Sequence, residues 1–378
     1  MLFLKECKKI LFSLTFAIYV LVMLAMYVTQ FEMGRAVEKP QPGSDDYGTT
    51  AKEVPEILMP AAVEGLRMEY ESGSFVAYPV GFYKEVRLTE RKKAEMEEIL
   101  QELSQAELTY ERFRELMAQA DKIIGGGSKY SSDYLIGNFS RVPRTYEDAL
   151  AEYEDFISKD KIMGGYARLF CDYMGIEASM FPVFLGVALC LKDRRSNMEK
   201  LVFQRNISSS KMILVRFAAL VFMAAVPVFM MAIHGTMQTM EIYTGYDLDK
   251  LAFFKYTAMW ILPNILFALA VGMFLTELTG TAIGILAMGL CWVLSVFASA
   301  GQLTGNITRF VLVVRHNSSM KAEAFFSHYD SFIFNRIFFT AAALLLILLT
   351  IVVFEKERGG HIRGFRGIFQ SAVRKFKA

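Results

Sequence analysis

Apolar residues are gathered into dense blocks separated by polar stretches. The first block is Ile10–Val28, ILFSLTFAIYVLVMLAMYV, 19 residues without a charge. At about 1.5 Å per helical residue it spans roughly 28 Å, close to the thickness of a hydrocarbon core. It is longer than the apolar part of a secretory signal and runs into Thr29-Gln30-Phe31-Glu32 without a small-residue cleavage pattern, so it reads as an uncleaved anchor. Five more spans are predicted, at about Leu169–Leu191, Met212–Ile233, Leu251–Leu275, Thr279–Ala300 and Phe334–Phe354. The second is interrupted by Asp172 and Glu177 toward one end.

Residues 31–167 are polar and too long for a connecting loop. Glu38–Thr50 reads as an extended linker. Leu88–Lys122 reads as helix, with Met96, Ile99, Leu100 and Leu103 at i, i+3, i+4, i+7, ended by Ile123-Ile124-Gly125-Gly126-Gly127. Thr145–Lys159 reads as a second amphipathic helix with Thr145 as N-cap. These stripes either pack a small helical domain or present a docking surface. The expected fold class is mainly α: a polytopic membrane protein with six transmembrane helices and a largely helical extracytoplasmic domain between helices 1 and 2. Its segments are 1–30 (stub and helix 1), 31–167 (extracytoplasmic domain), 168–354 (helices 2–6) and a basic tail, 355–378.

Composition supports this division. Of 378 residues, 54% are hydrophobic and 21% charged, more apolar than a typical soluble domain. That excludes a soluble enzyme, a disordered chain and a fibre. The net charge of +2 gives no reason to expect a nucleic-acid partner. The placement of the cations is more informative. Lys5, Lys8 and Lys9 precede the first span; Lys192, Arg194, Arg195, Lys200, Arg205 and Lys211 lie between the second and third; Lys356, Arg358, Arg363, Arg366, Arg374, Lys375 and Lys377 follow the sixth. Six spans put these groups on one side, which the positive-inside rule makes cytoplasmic, with 31–167 outside.

Little in the chain suggests catalysis of its own. Gly125-Gly126-Gly127-Ser128-Lys129 lacks phosphate-loop spacing, and no GxSxG or HExxH constellation stands in a sensible context. Cys7, Cys171, Cys190 and Cys291 form no CxxC motif, and His234, His316, His328 and His361 no zinc spacing. The span middles carry no ionisable group, which argues against an ion-coupled carrier. The charges near span ends either snorkel to the interface or pair at matched depth, Glu177 with Lys255 and Arg216 with Glu277. Asn264, beside Pro263, either bonds a carbonyl freed by the proline or lines a path. Gly280–Gly284 is a GxxxG step. In Lys192–Lys211, Met198, Leu201 and Val202 share a helical face among charges, so this loop either lies on headgroups or docks into a cytosolic partner.

The chain resembles the permease subunit of an ABC-2 type ABC transporter. The resemblance rests on the order one span, large external domain, five spans. It rests also on Gly164–Gly175 through Pro182-Val183-Phe184, Lys192-Asp193-Arg194-Arg195 and Ile207–Arg216, and on Asn335-Arg336 and Glu355–Gly359 flanking the last span. It covers 1–35 and 160–360 and says little about 36–159. It implies an ATP-driven exporter in the plasma membrane, with both termini cytoplasmic. This chain would pair with a second permease subunit, identical or different, among membrane lipids. Cytosolic ABC ATPase subunits would bind ATP and Mg and hydrolyse the nucleotide. Loop 192–211 would then carry a coupling helix at roughly Ser196–Arg205. Met198, Leu201 and Phe203 would be its apolar anchors, with Arg195, Glu199 and Arg205 at the rim. Re-entrant helices are expected within 301–333, at Thr308–Val314 and Ala322–Phe334, and at most a stub of interfacial helix before Ile10. The competing reading is a non-transporting receptor or assembly protein acting through 31–167. The disulfide-free external domain and basic tails fit a bacterial plasma membrane.

Overall fold

The computed structural model describes residues 2–31, 36–44, 46–79, 83–105, 107–196, 198–299, 307–316 and 318–360. The chain divides into two compact units, one of Met1–Val37, Asp155–Val296 and Asn306–Ala378, the other of Glu38–Glu154 and Phe297–Gly305. Helix dominates both. Four helices are long and apolar enough to cross a membrane: Met163–Arg195, Ser209–Ile242, Ala252–Thr279 and Tyr329–Arg358. They mark a membrane protein.

The chain opens with α1 (Leu2–Leu11) and α2 (Leu14–Gln30), bent by 68°. Ser13 makes the corner, its hydroxyl accepting from the Phe16 amide as the N-cap of α2. A ten-residue amphipathic helix thus stands where at most a stub was expected. Phe16, Tyr19, Met23 and Tyr27 form the buried stripe of α2. Tyr19 donates to the Ala224 carbonyl (2.8 Å), and the Tyr27 hydroxyl meets His234 Nδ1 (2.6 Å). Both bonds replace water that an apolar surrounding would deny these hydroxyls.

The second unit is built from α3 (Pro55–Ser72), α4 (Glu90–Leu103), α5 (Tyr110–Ile124), α6 (Leu135–Phe139) and most of α7 (Tyr146–Ser158). Two antiparallel strand pairs complete it: β1 (Thr49–Ala51) with β4 (Arg141–Pro143), and β2 (Phe75–Ala77) with β3 (Lys84–Val86). Its core gathers Leu58, Leu66, Phe75, Met96, Phe113 and Met117. The single helix expected over Leu88–Lys122 is two. Thr109 starts the second, its hydroxyl accepting from the Arg112 amide, so a competing cap overrides the continuous periodicity. Thr145 caps α7 reciprocally: the Asp148 amide donates to its hydroxyl (3.1 Å) and the Asp148 carboxylate accepts from its amide (3.3 Å).

The first unit continues with α8 (Met163–Ala178) and α9 (Pro182–Arg195), broken where Pro182 supplies no amide. The short α10 (Glu199–Phe203) leads into α11 (Ser209–Ile242). Then come α12 (Ala252–Tyr256), a π-helical turn over Thr257–Ile261 just ahead of Pro263, and α13 (Leu262–Thr279). The apolar α14 (Ile283–Ser299) is 17 residues long; α15 (Ala322–Phe326) and α16 (Tyr329–Arg358) end the described fold. Glycines let α9, α13 and α14 approach closely. A Cβ on Gly272 would stand 2.8 Å from the Val183 carbonyl oxygen, and one on Gly284 would stand 3.2 Å from Gly272 Cα. The GxxxG reading is corrected: Gly280 lies outside the helix as the left-handed cap of α13 (φ 72°), and Gly284 packs on Gly272 instead.

Candidate functional site

The first unit carries two polar clusters, set apart along the helices. One lies at the ends of α9, α11, α13 and α16, around the loop that holds α10. Arg194 is its centre: Nη2 lies 2.7 Å from Glu277 Oε2 and 3.4 Å from Glu357 Oε2, while Nη1 donates to the Thr276 carbonyl (3.1 Å). Asp193, beside it, pairs with the buried Arg216 of α11. Ser209 donates to Glu355, and Arg358 donates to the carbonyls of Ile207 (2.8 Å) and Arg205 (2.9 Å). Both ends of the 192–211 loop are therefore fastened to neighbouring spans by charge-assisted bonds.

Between those fastenings α10 has two faces. Val202 is buried and Phe203 sets its ring against Phe354, centroids 5.5 Å apart. Met198 and Leu201 are about half exposed (48% and 54%), so two apolar side chains are held outward on a braced loop. Of the expected anchors, Phe203 thus packs inward while Met198 and Leu201 face out. Glu199 opens α10. Arg195 and Arg205 are exposed, and neither side chain forms an ion pair among the described residues.

The second cluster lies near the start of α16. Asp172, fully buried on α8, accepts from Arg315 Nε (3.0 Å to each oxygen), and Arg315 Nη2 approaches Oδ2 at 2.9 Å; the His316 amide adds a bond of 2.6 Å. Arg336 is buried without a carboxylate partner among the described residues, and all five of its N–H groups are used. Nη1 donates to the Trp260 carbonyl (2.9 Å) and to Asn264 Oδ1 (2.7 Å). Nη2 donates to the Leu312 carbonyl (3.1 Å) and to Asn335 Oδ1, and Nε donates to Asn335 Oδ1 (3.0 Å). Asn335 Nδ2 in turn donates to the carbonyls of Thr308 (2.6 Å) and Val311 (2.7 Å).

These bonds hold 307–316, which is not helical. The expected helix over Thr308–Val314 is corrected to an irregular segment with a turn at 309–310 and a bend at 312–313, and that over Ala322–Phe334 to α15 and the start of α16, parted at Ser327-His328. An amphipathic spacing is not sufficient for a helix where side chains satisfy the backbone instead. Leu312 is buried, and its backbone is satisfied by side chains: its amide donates to the Ser295 hydroxyl (3.2 Å) and its carbonyl accepts from Arg336, while Asn335 serves the carbonyls of Thr308 and Val311. Residues 301–306 of the expected re-entrant segment lie outside the described residues. Burial, with the positive charge of Arg168 second, pushes the His316 imidazole down to about 4.

A third buried pair stands where α8 begins. Arg168 forms a two-pronged bond to Asp160, both side chains wholly buried, with the guanidinium 5.1 Å from the Phe325 ring centroid. It holds a turn in which Lys161 and Ile162 adopt positive φ (45° and 60°), a costly conformation for a β-branched residue.

Neither ion pair expected from matched depth forms. Lys255 reaches Asp249 (2.7 Å), and Glu177 pairs with no described residue. Arg216 takes Asp193 and Glu277 takes Arg194. Depth places two charges on one level but leaves their direction around each helix open, and the nearer partner wins. Asn264 is buried; its amide donates to the Gly175 carbonyl of α8 at 3.4 Å, and its oxygen accepts from Arg336. It bonds a carbonyl, though on a neighbouring helix. The residues the sequence reading missed were Asp193, Arg194, Glu357, Arg315 and Asp160. The acids set inside otherwise basic runs, Asp193 and Glu357, were the available signal.

Among the described residues no group of three His, Cys, Asp or Glu side chains is placed to hold a metal ion. Cys7, Cys171, Cys190 and Cys291 are free thiols. Comparison with protein-family models, curated proteins and solved structures finds no match.

Proposed function

We propose that this chain is the membrane-spanning permease subunit of an ATP-driven exporter of the ABC-2 type. It would work as a dimer, identical or mixed, with cytosolic ATPase subunits binding ATP and Mg. The observation that carries the reading is the braced α10. A loop that only bridges two spans has no need of Arg194, Arg216, Ser209 and Arg358 fastening it to α11, α13 and α16. A loop that must pass a partner's movement into the spans does. Met198 and Leu201 supply the outward apolar contact such a partner would cover.

On this reading the basic groups around 5–9, 192–211 and 355–378 face the cytoplasm. The α1–α2 pair and α14 join the four long helices to make six crossings, and 38–154 lies outside the cell. The membrane is a bacterial plasma membrane. The bent α1 lies in the interface, and 307–316 enters from the outer side as backbone shielded by protein rather than lipid.

The test is mild extraction of the tagged full-length chain from its host and mass spectrometry of what accompanies it. The expected result is a near-stoichiometric soluble ATPase, lost on Glu199→Lys with Arg205→Glu while the variant still reaches the membrane. Reproducible recovery of membrane or extracellular proteins with no ATPase would overturn the reading and shift attention to residues 38–154.

A further inference from the structure

A cavity of about 430 Å³ opens where α1 bends into α2 and passes the end of α9. Its α9 wall is one helical stripe at i, i+3, i+4, i+7, i+10: Leu185, Ala188, Leu189, then Lys192 and Arg195. The wall is apolar along the helix and becomes cationic at its end. Lys9, Ile10, Ser13 and Thr15, at the bend between α1 and α2, complete the lining. Among the described residues no carboxylate lines the cavity, and Glu6 pairs with Lys9 at 2.8 Å. Asp193 and Arg194, between the two α9 cations, point into the fastenings described above. That leaves Lys192 and Arg195 exposed and without ion pairs among the described residues.

The ligand this wall fits is amphipathic, with one or more negative charges at the end level with the helix termini and hydrocarbon below. We propose that the cavity binds an anionic phospholipid. Its phosphate would lie between Lys9, Lys192 and Arg195, and an acyl chain along Leu185 and Leu189. Surroundings agree. Leu4, Leu11, Phe12 and Leu14 are exposed around the bend beside Lys5 and Lys8, the arrangement of a helix resting at a headgroup boundary. Basic recesses between spans at that level take acidic headgroups. The proposal rests on the membrane reading and is independent of ATP-driven transport: an absent ATPase would leave it standing.

The experiment uses the purified full-length chain in neutral detergent. Phosphatidylglycerol or phosphatidylcholine is titrated in, and retained lipid is counted by native mass spectrometry. The expected result is preferential retention of phosphatidylglycerol, with its apparent affinity falling about thirtyfold in Lys9→Gln with Lys192→Gln, at about fivefold per cation removed. Lys5→Gln with Lys8→Gln removes the same charge from outside the cavity and should change retention by less than about threefold. Equal retention of the two lipids, or equal losses in the two double variants, would overturn the proposal. Glycerol phosphate competing at the lipid's own concentration would identify a site for a free anion and overturn it too. Should the Lys9, Lys192 variant not fold, a photoreactive phosphatidylglycerol on the unaltered chain decides: labelling of 9–15 and 185–196 supports the site, and labelling elsewhere overturns it.

Discussion

Replacing Arg336 by lysine keeps the charge and removes the fork, and the two contribute very differently here. The guanidinium uses five N–H groups on Trp260, Asn264, Leu312 and Asn335. An ammonium has three donors on a narrower head, so at least two of these bonds are lost. Hydrogen bonds from a charged group contribute about 1.5–3 kcal/mol each, giving about 3–6 kcal/mol. The Trp260 carbonyl sits within a helical run and has backbone amides within reach, so the lower end, about 3 kcal/mol, is expected. That corresponds to about a hundredfold in the equilibrium that frees 307–316. The assay is amide hydrogen exchange of 307–316 in a fixed detergent, compared with the middle of α11 as an internal reference. Arg336→Met removes the same bonds together with the cost of burying a cation, so lysine should protect the segment no better than methionine. If the lysine variant keeps protection within about threefold of the parent, charge rather than geometry holds the segment, and the reasoning fails.

Three further outcomes are expected. Gly165→Ala places a Cβ inside the contact distance of the Ser319 carbonyl oxygen and 2.8 Å from the Phe156 ring, so it should cost about 3 kcal/mol. Gly289→Ala meets only the flexible end of Met180 at 3.5 Å and should be neutral; equal thermal midpoints would contradict the packing. Arg194→Gln leaves the buried Glu277 and Glu357 facing each other's charge and should lose about 3–5 kcal/mol, part of it recovered by adding Glu277→Gln, whereas strictly additive losses would rule out the pairing. His316 has a folded value near 4, below its ordinary 6.5, so its stabilising contribution is complete above pH 6.5 and declines as pH falls toward 4, by up to about 3 kcal/mol. Subtracting the melting profile of His316→Gln from that of the parent between pH 7.5 and 4.5 should isolate that slope.

The long apolar runs were readable because a helix must be about 20 residues to cross hydrocarbon, and that length leaves a plain trace. Met212–Ile233 lies within α11 and Phe334–Phe354 within α16. In the polar unit the Met96, Ile99 and Leu103 stripe is buried as its spacing implied, and Thr145 caps α7. Two kinds of feature were not readable. One is direction around an axis: sequence depth brings Arg216 level with Glu277, but only the packing of α9 against α13 delivers Arg194 to that carboxylate. The other is backbone satisfied by distant side chains. Residues 308–314 have helical spacing, yet Asn335 and Arg336, more than twenty positions away, supply the bonds that a helix would have made internally. The amphipathic α1 leaves a weaker trace because a ten-residue helix is marginal alone; the packing of Ile10, Leu2, Phe3 and Cys7 against the core supplies what propensity does not.

The two polar clusters also constrain how motion would travel. Glu355 and Arg336 are both on α16, nineteen residues and so about 28 Å apart along a continuous helix. One end of that rod is fastened to the α10 loop, and the other holds 307–316 through Arg336 and Asn335. Between them α16 packs through apolar side chains such as Phe339, whose ring meets Phe267 of α13 edge-on with centroids 5.1 Å apart; such contacts resist bending but carry no direction along the helix. On the proposed permease reading, a push on Met198 and Leu201 passes into α16 through the bonds that Arg194, Ser209 and Arg358 make between that helix and the loop. The element that moves is then the rod, and the irregular segment 307–316 it carries is the part of the far end that must follow. Loosening the Arg194 fastening should then decouple the two ends without altering the Arg336 cluster, so hydrogen exchange over 307–316 should stay unchanged in Arg194→Gln even as the α10 amides open.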